Sequence, residues 1–247
     1  MKKAIALLLG LIILSGVVAY IAIDEPLPEG QAGEKADALA LQILEAIQAE
    51  AWENTGAVTW RFPGNHHYIW DKKRHFVLAE WEQNRVLFDV KTKKGIAYTA
   101  GQKVDKENND ALVEEAWKIW VNDSFWLNAP AKVFDAGTRR ALVEAEGRQA
   151  LLVTYTSGGV TPGDSYLWIL NEDNLPIKWK MWVSIIPIGG IEFTWEDWQT
   201  TQTGAYIATL HANPLFSIEI TDLETADTLE ALTGGTDPFQ ELIELTQ

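Results

Sequence analysis

The chain of 247 residues contains no cysteine. That excludes a disulfide scaffold, an iron–sulfur centre, a thiol nucleophile and a cysteine-based zinc site. Basic residues are scarce, with 20 Lys and Arg against 35 Asp and Glu and a formal net charge of −15. A nucleic-acid partner is therefore not expected, because such a partner needs a basic footprint. No Lys or Arg follows Lys180, whereas acids continue to Glu244. The sequence has no G-x-S-x-G elbow, no G-x-G-x-x-G or Walker A loop, and no H-E-x-x-H pair. Strands do not alternate regularly with helices, which argues against a parallel doubly wound sheet. Tryptophan is abundant instead, with 12 residues beside 8 Phe and 6 Tyr.

Lys2 and Lys3 precede an uncharged apolar run from Ala4 to Ile23, followed by Asp24 and Glu25. About 20 apolar residues at roughly 1.5 Å rise each can span a bilayer. Lysines before the run and acids after it orient the remainder outward. A cleaved signal peptide is the competing reading, but the run is long and lacks a good A-x-A site. Residues 1–23 are thus expected to form a transmembrane anchor or signal helix. Residues 24–34 read as a linker, 35–222 as the folded domain, and 223–247 as an acidic tail with a short helix from Asp237. The expected location is periplasmic or extracytoplasmic, anchored in the inner membrane by residues 4–23.

Within the domain, Lys35 to Trp52 has the 3.6-residue period of an amphipathic helix, with Ala36, Ala40, Ile43 and Ile47 on one stripe. From Val58 to Ala100 the period is two, interrupted by tight turns, which predicts an antiparallel meander. A second helix is predicted from an Asp110 cap to Val121, ended by Asn122-Asp123-Ser124. A longer meander follows, with strands at Arg139–Glu146, Ala150–Thr156, Ser165–Asn171, Pro176–Ser184, Ile191–Thr201, Tyr206–His211 and Ser217–Asp222. The fold class is mainly β (α+β): one strongly curved antiparallel sheet, an incomplete β-barrel, covered by helices.

Tryptophans on predicted strands could line the concave side of such a sheet and form an apolar pocket. Plain core filling is the competing reading. The candidate ligand-binding residues are Trp60, Trp81, Trp168, Trp179, Met181 and Trp195, joined by Phe125 and Trp126 from the apolar link after the second helix. The Gly-rich segment 157–164 would form the mouth. His66 and His67 are adjacent on a strand and point to opposite faces. His67, Asp71 and His75 could meet across a hairpin, which leaves a metal-dependent or hydrolase-like activity as an alternative. No cofactor, metal site or catalytic residue is assigned.

The order of elements resembles the Lol-type carrier fold of the outer-membrane lipoprotein carrier and its receptor. The likeness rests on the exported N-terminus, the helix ending Glu45-Ala-Ile-Gln-Ala-Glu-Ala-Trp52, the Trp60–Tyr98 meander, the central helix and the second meander. It implies a half-barrel lidded by helices that holds acyl chains. It carries no residue-by-residue assignment. Segments 122–127 and 154–164 are also similar to uncharacterised exported proteins of Bacteroidota. The expected function is non-enzymatic binding of a lipid, acyl chain or other hydrophobic ligand. A protein-interaction module docking to an envelope protein through the acidic C-terminal end is the alternative.

Overall fold

The computed structural model describes residues 24–246. The anchor or signal helix expected over 1–23 lies outside the described residues. No described helix is long and apolar enough to cross a membrane.

The first half opens with α1 (Glu34–Ala46) and α2 (Ala49–Asn54). The single helix expected here is broken at Gln48, whose backbone is left-handed (φ 54°, ψ 47°). The break redirects the chain. Ala36, Ala40 and Ile43 of α1 pack into one core, and Trp52 of α2 packs into another. Six strands follow: β1 (Ala57–Phe62), β2 (His66–Asp71), β3 (Phe76–Trp81), β4 (Asn84–Asp89), β5 (Gly95–Thr99) and β6 (Gln102–Lys103). They pair in sequence order, as the period-two pattern predicts.

The central helix α3 runs Lys106–Asn128 and is capped by Asp105, whose side chain accepts from the Asn108 N–H at 3.1 Å. It therefore starts earlier than the predicted Asp110 cap and ends later than Val121. Asn, Asp and Ser each cost only about 0.5 kcal/mol inside a helix. Burying Trp126 and Leu127 beyond them returns about 1.5–3 kcal/mol each, so helix propensity at 122–124 is overridden. Both side chains are buried. Val113, Ala116 and Trp120 of α3 join the first-half core, and Trp126 joins the second, so the helix ties the two together.

After a 3-10 turn (Ala129–Lys132) come β7 (Thr138–Ala145), β8 (Arg148–Tyr155), β9 (Ser165–Leu170), β10 (Pro176–Trp182) and β11 (Ile191–Thr194), another meander. The remaining strands are β12 (Glu196–Thr200), β13 (Tyr206–Ala212), β14 (Ser217–Glu219) and β15 (Thr221–Ala226). The result is mainly β and antiparallel, in sheets of seven, five and three strands, with no closed barrel among the described residues.

The single curved sheet of the expectation is thus divided at two corners. The strand expected over 191–201 breaks at Trp195, buried against Trp168, Trp179 and His211, and passes from the five-stranded to the three-stranded sheet. The strand expected over 217–222 breaks at buried Ile220 and delivers β15 to the edge of β1. In both places an apolar side chain turned into the core fixes the corner.

Two segments are more integrated than their composition suggests. The linker is a strap across the second half: Gln31 exchanges backbone bonds with Leu142, and the Lys180 ammonium holds both Glu25 carboxylate oxygens at 2.8 Å. The expected acidic tail supplies β15, α4 (Leu229–Thr233) and α5 (Gln240–Thr246). Phe239 and Leu242 are fully buried against Phe76, Leu78 and Leu87 on the outer face of the first sheet. The Arg74 guanidinium donates to both oxygens of Asp237, at 2.8 and 3.0 Å.

Candidate functional site

One side of α3 is left uncovered between the two large sheets. The cleft there has a volume of about 760 Å³, inside the range of about 300–1,000 Å³ usual for small-molecule sites. On the helix, Trp117, Trp120, Val121, Ser124 and Asn128 follow the three- and four-residue spacing of a single face and line it. Opposite them stand Phe62 of β1, His66 and Trp70 of β2, and Tyr155 and Tyr166 of the second meander. Residues 157–161 and Ile185 form the rim. The lining is chiefly aromatic and aliphatic, as expected of a site for an apolar ligand.

A compact polar group interrupts it. His66, Tyr68 and Trp70 share one face of β2, and the next face along α3 carries Asp123, 2% exposed. His66 Nδ1–H donates to Asp123 Oδ2 at 2.6 Å, because the carboxylate only accepts. Tyr68 Oη donates to the same oxygen at 2.6 Å, and Asn122 Nδ2 donates to Oδ1 at 2.9 Å. Three donors compensate the burial of this carboxylate. Burial, reinforced by the neighbouring Asp123 charge, pushes the Tyr68 phenol far above its usual value and keeps it a donor. With Nδ1 committed to Asp123, His66 has Nε2 left for another partner, and His66 lines the cleft. Burial also raises the phenols of Tyr155 and Tyr166, so both wall tyrosines stay neutral.

Of the eight residues expected to bind ligand, Phe125 lines the cleft. Its ring lies 5.4 Å from Tyr155, 4.9 Å from Tyr166 and 5.7 Å from Trp179. Trp126, Trp168, Trp179, Met181 and Trp195 are buried together in the second core, and Trp60 and Trp81 in the first. Successive ring centroids along Trp126, Trp179, Trp168 and Trp195 are 4.9–5.1 Å apart. These rings fill the space that a strand-lined pocket would need. The open volume lies beside them, along α3. Segment 157–164 does reach the rim, where the sequence placed a mouth.

His67, Asp71 and His75 find separate surroundings. His67 Nδ1 bonds Glu80 at 2.9 Å, with Nε2 3.2 Å from Thr59 Oγ1, and Asp71 accepts from the Arg74 guanidinium at 2.6 Å. Among the described residues no group of three His, Asp or Glu is placed to hold a metal ion. His66 and His67 do point to opposite faces of the sheet, His66 to Asp123 on α3 and His67 to Glu80 on the other side. Asp123 and Tyr68 were missed because ending the helix at Val121 removes Asp123 from it. The available signal was the stripe Trp117, Trp120, Ser124, Asn128, continuous through the apparent stop.

The chain is thus a mainly β, antiparallel protein with an aromatic cleft beside a long central helix. No family model and no curated protein matches it. Among solved structures it is similar to the crystal structure of a DUF1329 family protein from Desulfovibrio piger ATCC 29098, at 9% identity and a TM-score of 0.43, over 86% of this chain and 100% of that one.

Proposed function

We propose that the protein binds the apolar part of a lipid or other amphiphile in the cleft along α3, without chemical turnover. The observation that carries this reading is the aromatic-lined volume of about 760 Å³ next to cores that are otherwise tightly filled. Apolar burial supplies the driving force, at about 25 cal/mol per Å² before association costs are subtracted. His66, oriented by Asp123, is the polar point that receives the ligand's head group. The sequence resemblance to Lol-type carriers supports the same class of ligand, and the apolar run at 4–23 supports an extracytoplasmic, membrane-anchored location. Docking through the acidic end is less favoured, because Phe239 and Leu242 fix that segment against the chain's own sheet.

The test is titration of the delipidated protein with a fluorescent fatty-acid analogue, beside Ile119→Trp. Ile119 lines the cleft at the edge of the first core and is only partly buried, so a larger ring there extends into the open volume. Saturable binding by the parent and a loss of at least tenfold in the variant, at unchanged melting temperature, are expected. Equal binding by the two proteins rules out this cleft.

A further inference from the structure

The rim of the cleft has an unusual composition. β8 and β9 are antiparallel, as are β9 and β10, with Thr154 opposite Ser165 and Ser165 opposite Trp182. The loops 157–163 and 183–190 therefore leave the sheet at the same end. Asp164 fastens them together: its Oδ1 accepts from the Ser184 N–H at 2.9 Å, and its Oδ2 accepts from the Thr161 hydroxyl. Neither loop contains a single charged residue, in a chain that is 22% charged with net charge −15. Each places an apolar side chain on the rim, Val160 at 44% exposure and Ile185 at 74%.

A third uncharged turn, Asn213-Pro-Leu-Phe216, lies beside β11. β13 returns antiparallel to β12 and ends beside β11, with the Ala212 N–H bonded to Thr194 Oγ1 and the Phe216 ring 5.4 Å from Phe193. This turn exposes Leu215 at 89%. Leu215 and Ile185 are the most exposed of the large apolar side chains described.

The strap ends at this rim. Asp24 Oδ1 accepts from the Gly189 N–H at 2.8 Å, the Glu25 N–H donates to Gly189 O at 3.1 Å, and Trp182 Nε1 donates to Glu25 O at 2.7 Å. The fit is close enough to require glycine, since a Cβ at Gly189 would stand 2.4 Å from Trp182 Cδ1. The uncharged stretch 4–23 of the sequence thus joins the described chain at the apolar lip, not at the opposite end of the sheet.

We propose that these uncharged turns seat on a lipid bilayer, so that the cleft opens onto the membrane from which its ligand is drawn. Exposed apolar side chains grouped around a cleft mark such a contact. A bilayer bearing anionic lipid repels a protein of net charge −15, whereas the two rim loops offer it uncharged tips. The acids where the strap meets the rim are engaged, Asp24 by the Gly189 N–H and Glu25 by the Lys180 ammonium. The inference rests on the ligand-binding reading for the purpose of the contact, but the contact is measured separately.

The absence of cysteine allows single labels. Val160→Cys, Ile185→Cys and Glu172→Cys are each made in the full chain, labelled with nitrobenzoxadiazole, and reconstituted in vesicles of phosphatidylethanolamine and phosphatidylglycerol containing a spin-labelled lipid. Glu172 lies in the β9–β10 turn at the far end of the sheet, with its side chain 86% exposed. Labels at 160 and 185 are expected to be quenched at least threefold more than the label at 172. Adding Ile185→Asp is expected to reduce quenching at 160 to the level seen at 172. Adding Ile119→Trp should leave the quenching pattern unchanged, which separates the bilayer contact from ligand binding. Quenching at 160 and 185 no greater than at 172 overturns the proposal, whether the lips face water, residues 4–23 or a second copy of the chain.

Discussion

The aromatic rings of the second half and those along the outer side of α3 are the same residue types in opposite situations. Trp168, Trp179 and Trp195 are at most 2% exposed and meet edge to face or tilted, with centroids 5.0–5.1 Å apart. Trp70, Trp117 and Phe125 are only partly buried and border open volume. The position of one helix accounts for the difference. Where the C-terminal end of α3 drives Trp126 into the five-stranded sheet, no space remains. Half a turn around the same helix, its Trp117–Asn128 face borders the open volume, although Trp120 on it still packs against Trp70 and Phe88 of the first sheet. Aromatic richness therefore fills a core on one side of α3 and lines an open cleft on the other.

The sharpest way to break this contrast is Trp179→Ala. Trp179 is fully buried and touches five aromatic neighbours. The loss is expected to be about 3–5 kcal/mol, read as a lower midpoint in urea unfolding. Trp117→Ala, on the open face, should cost under about 1.5 kcal/mol and act instead on ligand affinity.

Acid should also act on the solid side. His211 is completely buried against Trp195, at 4.2 Å, and burial lowers its pKa to about 4. Unfolded, it titrates near 6.5. Between these values the unfolded chain binds a proton that the folded chain does not. Stability therefore falls as the pH drops from about 6.5 to 4, by up to about 3 kcal/mol from this group. Urea unfolding across that window should show the decline, and His211→Phe should flatten it.

On the cleft side, Tyr68→Phe removes one of three donors from buried Asp123, at an expected cost of about 1–3 kcal/mol. Because His66 keeps its own bond to Asp123, ligand affinity should change by less than threefold. A large loss of affinity would mean that the tyrosine itself contacts ligand. The smallest effect belongs to Arg61→Ala. The Arg61–Asp222 pair, 2.9 Å apart, has side chains 49% and 71% exposed, and its removal should cost no more than about 1 kcal/mol.

Strands were legible where side chains alternate, as in Val58-Thr-Trp-Arg-Phe62, and also as short apolar runs between turns where both faces are buried, as in β9. The corners at Trp195 and Ile220 were not. The alternation slips by one residue there, from Trp195 to Trp198 and from Ile220 to Leu223, but a slip of one residue does not reveal that the pairing partner changes. The site was legible in part. Phe125 and most of segment 157–164 do line the cleft, but the tryptophans could not be sorted into packed and open by composition. That sorting depends on where α3 ends, which tertiary burial of Trp126 and Leu127 decides against local propensity. The strap was hidden for a similar reason: its Pro, Gly and acid composition reads as linker, and its partners Gly189, Lys180 and Leu142 are distant in sequence.

The most direct measurement is native mass spectrometry of the full chain released gently from the membranes of its own host, beside Ile119→Trp prepared identically. The account predicts a bound mass on the parent protein that extracts into organic solvent and is missing from the variant. A parent protein that carries no such mass and also shows no saturable response to added lipid would contradict it.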